Sequence, residues 1–165
     1  MYYQPKLNIK ENKISGAEAL IRWNRPDGTA VAPGVFIPLA ESNGLIYPIG
    51  EWVMRRACTD ALEWIKEGHD LSLAVNLSGK QFYWEEIIDD IEAVLSETGF
   101  PPANLNLEIT ENAVITDTER AIAIMKELSR KGIQYSLDDF GTGYSSLSYL
   151  KKFPLSVIKV YKSFI

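Results

Sequence analysis

The spacing of apolar and polar positions along the chain changes period in a regular order. Two segments with strand-like patterning stand first, Tyr2 to Ile9 and Ile14 to Trp23, separated only by Lys10-Glu11-Asn12-Lys13. Four residues cannot carry a crossover helix, so the pair is predicted to form an antiparallel hairpin. From Pro33 onward helical patterns alternate with short apolar strands. Helices are expected near Pro33 to Ser42, from about Ile49 to Glu67, from about Trp84 to Thr98, from Asp117 to Lys131 and near Ser145 to Lys151. Strands are expected at Leu71 to Leu77, Leu105 to Ile109, Gln134 to Asp138 and Ser156 to Val160. The stops are marked by Gly68, Gly99 and Gly132, each placed where a left-handed residue closes a helix, and Thr116-Asp117-Thr118-Glu119 fits a capping box.

Alternation of this kind predicts parallel strands with helices outside them, in an α/β sheet or barrel. Length narrows the choice. A complete (β/α)8 barrel typically takes ~250 residues, whereas this chain has 165, counts six strands and shows no helix after the last. The expectation is one domain over residues 1–165, an incomplete TIM-type barrel that lacks its last strands and helices.

With 46% hydrophobic and 24% charged residues the chain can bury a substantial core and does not read as disordered. A net charge of −5 argues against a DNA-binding surface, although an anionic ligand can still be held locally through metal ions. The single cysteine, Cys58, permits no intrachain disulfide and fits a reducing compartment; beside Ala57 and Ala61 it reads as buried. No stretch approaches the ~20 apolar residues of a membrane-spanning helix, and Met1-Tyr2-Tyr3-Gln4 has no signal-like region, so a cytoplasmic location is expected.

Candidate chemistry gathers at strand ends. Leu137-Asp138-Asp139-Phe140 runs into Gly141-Thr142-Gly143-Tyr144. Neighbouring side chains of a strand point to opposite faces, so two adjacent acids converge only where the strand stops and the backbone turns. A solvated Asp-Asp turn is the plainer reading of that tip. Other strands repeat the pattern: Glu18 and Arg22, four apart on the second strand, are expected to share a face, and Asn76, Glu108 and Glu111 sit at strand ends, with Lys159 on the sixth strand. Parallel-strand enzymes build their sites at the carboxyl ends of the strands. Carboxylates with an amide oxygen, and only one histidine, favour a hard cation, Mg²⁺ or Mn²⁺, over zinc. Paired cations of this kind can activate water and clamp a phosphodiester for in-line attack. Lys159 reads either as the group that orients or deprotonates that water or as a structural counter-ion. His69, just after a helix end, reads as a solvated loop residue.

These residues resemble the EAL-domain family of bacterial cyclic-di-GMP phosphodiesterases. The resemblance is carried by Tyr3-Gln4-Pro5, Glu18-Ala19-Leu20 within Gly16-Ala17-Glu18-Ala19-Leu20-Ile21-Arg22-Trp23, Asn76-Leu77-Ser78, Glu108-Ile109-Thr110-Glu111, the run from Asp138 to Leu147, and Ile158-Lys159. It implies a modified (β/α)8 barrel with an antiparallel first strand, and hydrolysis of cyclic-di-GMP to linear pGpG. It further implies that Glu18, Asn76, Glu108 and Asp138 ligate one of two divalent cations, with Asp138 and Asp139 reaching towards the second. Lys159 would position the attacking water, and Gln4, Leu20 and Arg22 would contact the substrate. Glu111 would hold the loop Gly141 to Ser146, which in the family couples dimerisation to activity. Two departures stand out: Tyr161 occupies a position where the family has an aspartate, and a further metal-binding glutamate and a substrate-binding glutamine fall beyond Ile165. The alternative function is a catalytically inactive cyclic-di-GMP sensor or a protein-interaction or dimerisation module. A homodimer or larger oligomer and attachment to regulatory domains are also expected.

Overall fold

The computed structural model describes residues 1–140 and 152–160. The helix expected near Ser145 to Lys151, the loop from Gly141 to Ser146 and Tyr161 lie outside the described residues. The first two segments fold back on each other: β1 (Tyr2–Asn8) pairs antiparallel with β2 (Lys13–Leu20), placing Gln4 opposite Glu18. A small separate hairpin follows, β3 (Trp23–Asn24) with β4 (Ala30–Val31). Strands β5 (Ser72–Leu77), β6 (Leu105–Thr110), β7 (Gln134–Phe140) and β8 (Val157–Val160) then add in parallel, giving the order β1-β2-β5-β6-β7-β8. This is the incomplete barrel with an antiparallel first strand that the alternation predicts.

The helices are α1 (Pro33–Asn43), α2 (Ile46–Lys66), α3 (Gly79–Phe82), α4 (Ile87–Thr98), α5 (Glu111–Thr116) and α6 (Thr118–Ser129). Their apolar stripes recur at helical spacing: Met54, Ala57, Cys58 and Ala61 on α2; Ile87, Ile91, Val94 and Leu95 on α4; Ala121, Ile124, Met125 and Leu128 on α6. They pack in one core with Leu73, Val75 and Leu77 of β5, Leu105, Leu107 and Ile109 of β6, and Tyr135 and Leu137 of β7. Each fully buried leucine or isoleucine contributes about 1.5–3 kcal/mol. Alternation leaves Asn76, Asn106, Glu108, Ser136 and Asp138 for the opposite face of the same strands.

The helix stops fall where the glycines predict. At the end of α2 the Gly68 N–H donates to the Ile65 carbonyl and the His69 N–H to the Trp64 carbonyl, a closure that needs the positive φ of Gly68. His69 is exposed and Cys58 is buried, as read from the sequence.

Three readings are corrected. The second strand ends at Leu20 and not at Trp23, because its parallel partner β5 accompanies it only as far as Ala19; Trp23 pairs instead with Val31. Glu18 and Arg22 therefore do not share one strand face. The stretch from Trp84 begins as a helix only at Ile87, with the short α3 before it. Finally, Asp117 alone caps α6, accepting the Arg120 N–H, while Thr116 belongs to α5 and its hydroxyl donates to the Asn112 carbonyl.

Candidate active site on the polar face of the sheet

Carboxylates from three strands converge on one point. The Lys159 ammonium on β8 donates to Glu18 Oε2 at 3.2 Å, Glu108 Oε2 at 2.6 Å and Asp138 Oδ2 at 2.9 Å. Asn76 Nδ2 donates to the other oxygen of Glu18, Oε1, at 2.9 Å. Lys6, which the sequence reading passed over, donates to the other oxygen of Glu108, Oε1, at 2.6 Å. The signal for Lys6 was present: it lies two residues from Gln4 on β1 and so shares its face. Below this layer Ser136 Oγ donates to Asn106 Oδ1 at 2.7 Å, pairing two buried polar groups.

Burial makes the pairing necessary. The Glu108 side chain is 0% exposed, and an uncompensated carboxylate there would cost several kcal/mol. An ammonium on each of its two oxygens compensates it. Burial by itself pulls the Lys159 pKa down, but hydrogen bonds to Glu108 and Asp138 and the charges of Glu108 and Glu18 outweigh it, and the net direction is up. In this arrangement Lys159 is a cation and a counter-ion; to act on water it has to be released from the acids.

The tip of β7 is built to turn. Leu137 faces Ile158 and Phe140 faces Val160, so Asp138 and Asp139 together oppose the single residue Lys159. One extra residue on β7 forms a bulge, a device that re-aims side chains beside a site. Asp139 takes φ 55°, in the left-handed region that aspartate tolerates better than most residues, and its N–H donates to Asp138 Oδ1 at 2.8 Å. The adjacent acids thus escape strict alternation.

A cavity of about 390 Å³ opens beside the carboxylates, lined by Leu20, Arg22, Asn76, Ser78 and Thr110 among others. Asn76 joins the two, since it lines the cavity and bonds Glu18. Arg22 is exposed, with its guanidinium 5.9 Å from the centre of the Tyr2 ring. Gln4 is exposed on β1 and is not among the residues lining that cavity. Glu111 is 1% exposed at the first position of α5, directly after the strand that carries Glu108.

Gly50 and Gln81, which both line the cavity, mark a close approach between two helices. Gln81 closes a capping box with Ser78 at the start of α3, and its amide lies against Gly50 of α2, where a methyl group would collide with it. Gly50 thus leaves room for the Gln81 side chain that closes the capping box with Ser78.

The donors suit a hard divalent cation, being three carboxylates plus one amide. Asn76 now presents its nitrogen to Glu18, and turning the amide over presents Oδ1 instead. Among the described residues no three acids stand in the arrangement of a cation site as they are; their point of convergence holds the Lys159 ammonium.

Residues 1–165 match the EAL domain family. The signalling protein YkoW of Bacillus subtilis is 44% identical over the whole chain, which spans 21% of YkoW. The bifunctional diguanylate cyclase/cyclic di-GMP phosphodiesterase MucR of Pseudomonas aeruginosa is 43% identical, and the chain spans 24% of it. A solved structure of the MucR phosphodiesterase in complex with cyclic-di-GMP superposes with a TM-score of 0.94, covering 98% of this chain and 66% of that one. The match over the full length, together with the fold and the strand-end acids, places the chain in the EAL domain family.

Proposed function

We propose that this domain is a divalent-metal-dependent phosphodiesterase that hydrolyses cyclic-di-GMP to linear pGpG. The observation that carries the reading is the convergence of Glu18, Glu108 and Asp138 on one point, 2.6–3.2 Å from their oxygens, beside a cavity that bears Arg22. Glu18, Asn76, Glu108 and Asp138 hold the cation, Mg²⁺ or Mn²⁺, and Asp139 with Asp138 serves a second. Bound there, such ions supply Lewis-acid polarisation of the phosphoryl oxygen and activation of water.

The chain's own side chains do the rest. Arg22 offers its rigid fork of donors to a phosphate oxygen, Leu20 gives an apolar contact, and Gln4 approaches the substrate from β1. Lys159, freed from the carboxylates, orients the attacking water. Glu111 anchors the loop that follows β7. The domain works in the cytoplasm as a homodimer or larger oligomer, joined to regulatory domains; the relatives that it matches are four to five times its length, the chain spanning 24% and 21% of them.

A second reading, a sensor that binds cyclic-di-GMP without cleaving it, draws on the Lys159 pairing, which satisfies all three acids without a metal. Incubation with cyclic-di-GMP and Mn²⁺ or Mg²⁺ separates the two, with pGpG and bound nucleotide measured in parallel. The expected result is turnover that Glu18→Ala abolishes and that chelation removes. Tight binding without turnover would establish the sensor instead.

A further inference from the structure

We propose that Lys6 is a positioning residue for the cation site, holding Glu108 in the one orientation in which its second oxygen faces Glu18 and Asp138. The proposal rests on the metal reading of the site given above. Glu108 is an acid with no solvent contact, and its two oxygens have separate tasks. Oε2 joins the point of convergence with Glu18 and Asp138, through Lys159. Oε1 turns away from that point to Lys6 at 2.6 Å.

The two lysines differ in consequence. Lys159 contacts all three carboxylates, so it occupies the oxygens that a cation would need. Lys6 bonds only the remote oxygen of one of them, so it can stay when a cation enters. Its strand explains the reach: β1 runs antiparallel to β2 with Lys6 opposite Gly16, where a residue with a Cβ would meet Ser72. Glycine thus leaves the neighbouring position without a side chain, and Lys6 reaches past β2 and β5 to Glu108 on β6.

Two effects of Lys6 on a cation are opposed in sign. As a positive charge it repels the ion, so its removal would tighten binding. As the partner that fixes a buried carboxylate it prepares a ligand, and partners of that kind typically carry about 10–100-fold in metal affinity. The geometry points to the second, because a buried Glu108 that loses Lys6 is left with one oxygen unpartnered and must turn it towards other donors.

The test is a titration of the full chain with Mn²⁺ alone, followed by electron paramagnetic resonance of the free aqueous ion. Lys6→Met is expected to weaken Mn²⁺ binding about tenfold or more, and Lys6→Arg to restore most of it. In a Glu108→Gln background Lys6→Met is expected to add no further loss. Unchanged or tighter binding in Lys6→Met overturns the proposal while leaving the metal site standing, and so does an additive loss in the double variant. A wild-type chain that binds no Mn²⁺ overturns the metal reading and this proposal together. Should Lys6→Met fail to fold, Lys6→Arg against Lys6→Gln gives the same contrast at a side chain that can still donate a hydrogen bond.

Discussion

The two faces of the central sheet are made by the same strands and governed by different physics. On the helix side Leu73, Leu105, Leu107 and Leu137 are each at most 1% exposed and need only volume and apolarity to be content. On the other side Glu108 and Ser136 are buried as deeply, at 1% each, but every polar atom there needs a named partner. Period-two alternation lets adjacent residues answer to both demands at once. The apolar face tolerates drift and supplies stability; the polar face uses part of that stability to hold charges in a geometry that chemistry can use.

Truncation on the apolar face breaks the comparison most visibly in stability. Leu107→Ala is expected to lower the unfolding free energy by about 2–5 kcal/mol through lost burial and a residual cavity, read from denaturant melts. Its turnover number, measured well below the melting temperature, should stay at the wild-type value, because Leu107 faces away from the acids. A large loss of turnover in the folded variant would mean that the two faces are not separable.

Neighbouring positions 135 and 136 sharpen the contrast at smaller scale. Ser136→Ala leaves buried Asn106 Oδ1 without the hydroxyl at 2.7 Å, at a cost of about 1–3 kcal/mol. Tyr135 lies on the other face, 0% exposed, and among the described residues its hydroxyl has no hydrogen-bond partner. Tyr135→Phe removes a buried group that gains nothing, so the change is expected to be neutral or stabilising by about 1 kcal/mol. Thermal melts of both variants check this; destabilisation by Tyr135→Phe equal to that of Ser136→Ala would contradict it.

The sequence made the architecture legible where periodicity ran long or where backbone chemistry forced a stop. The short linker from Lys10 to Lys13 could only close a hairpin, and Gly68, Gly99 and Gly132 take the positive φ that ends helices. Elements of one turn or one residue pair left no period to read, which is why α3, α5 and the β3–β4 hairpin were missed. The extension of β2 to Trp23 failed for a tertiary reason, since strand length is set by the partner and β5 leaves it at Ala19.

The candidate site was legible in part for the same reasons. Acids at successive strand ends announce themselves, and the adjacency of Asp138 and Asp139 foretold a turn that the bulge and the φ of Asp139 supply. Lys159 was legible as a counter-ion of the acids, and it pairs with Glu18, Glu108 and Asp138. That Lys6 would take the remaining oxygen of Glu108 was not, because it follows from how far the strands are staggered, which no single strand encodes.

The proposed function places the phosphodiester chemistry on the polar face and not in the fold around it. Its most direct test is the rate of pGpG formation from cyclic-di-GMP with saturating Mn²⁺ in Glu108→Gln, compared with wild type at equal folded concentration. The substitution keeps the shape of the side chain and removes one charge at the point of convergence. The predicted result is a loss of about 10³-fold or more, equivalent to ~4 kcal/mol of transition-state stabilisation, with the circular dichroism spectrum unchanged. Turnover at the wild-type rate in folded Glu108→Gln would contradict the account.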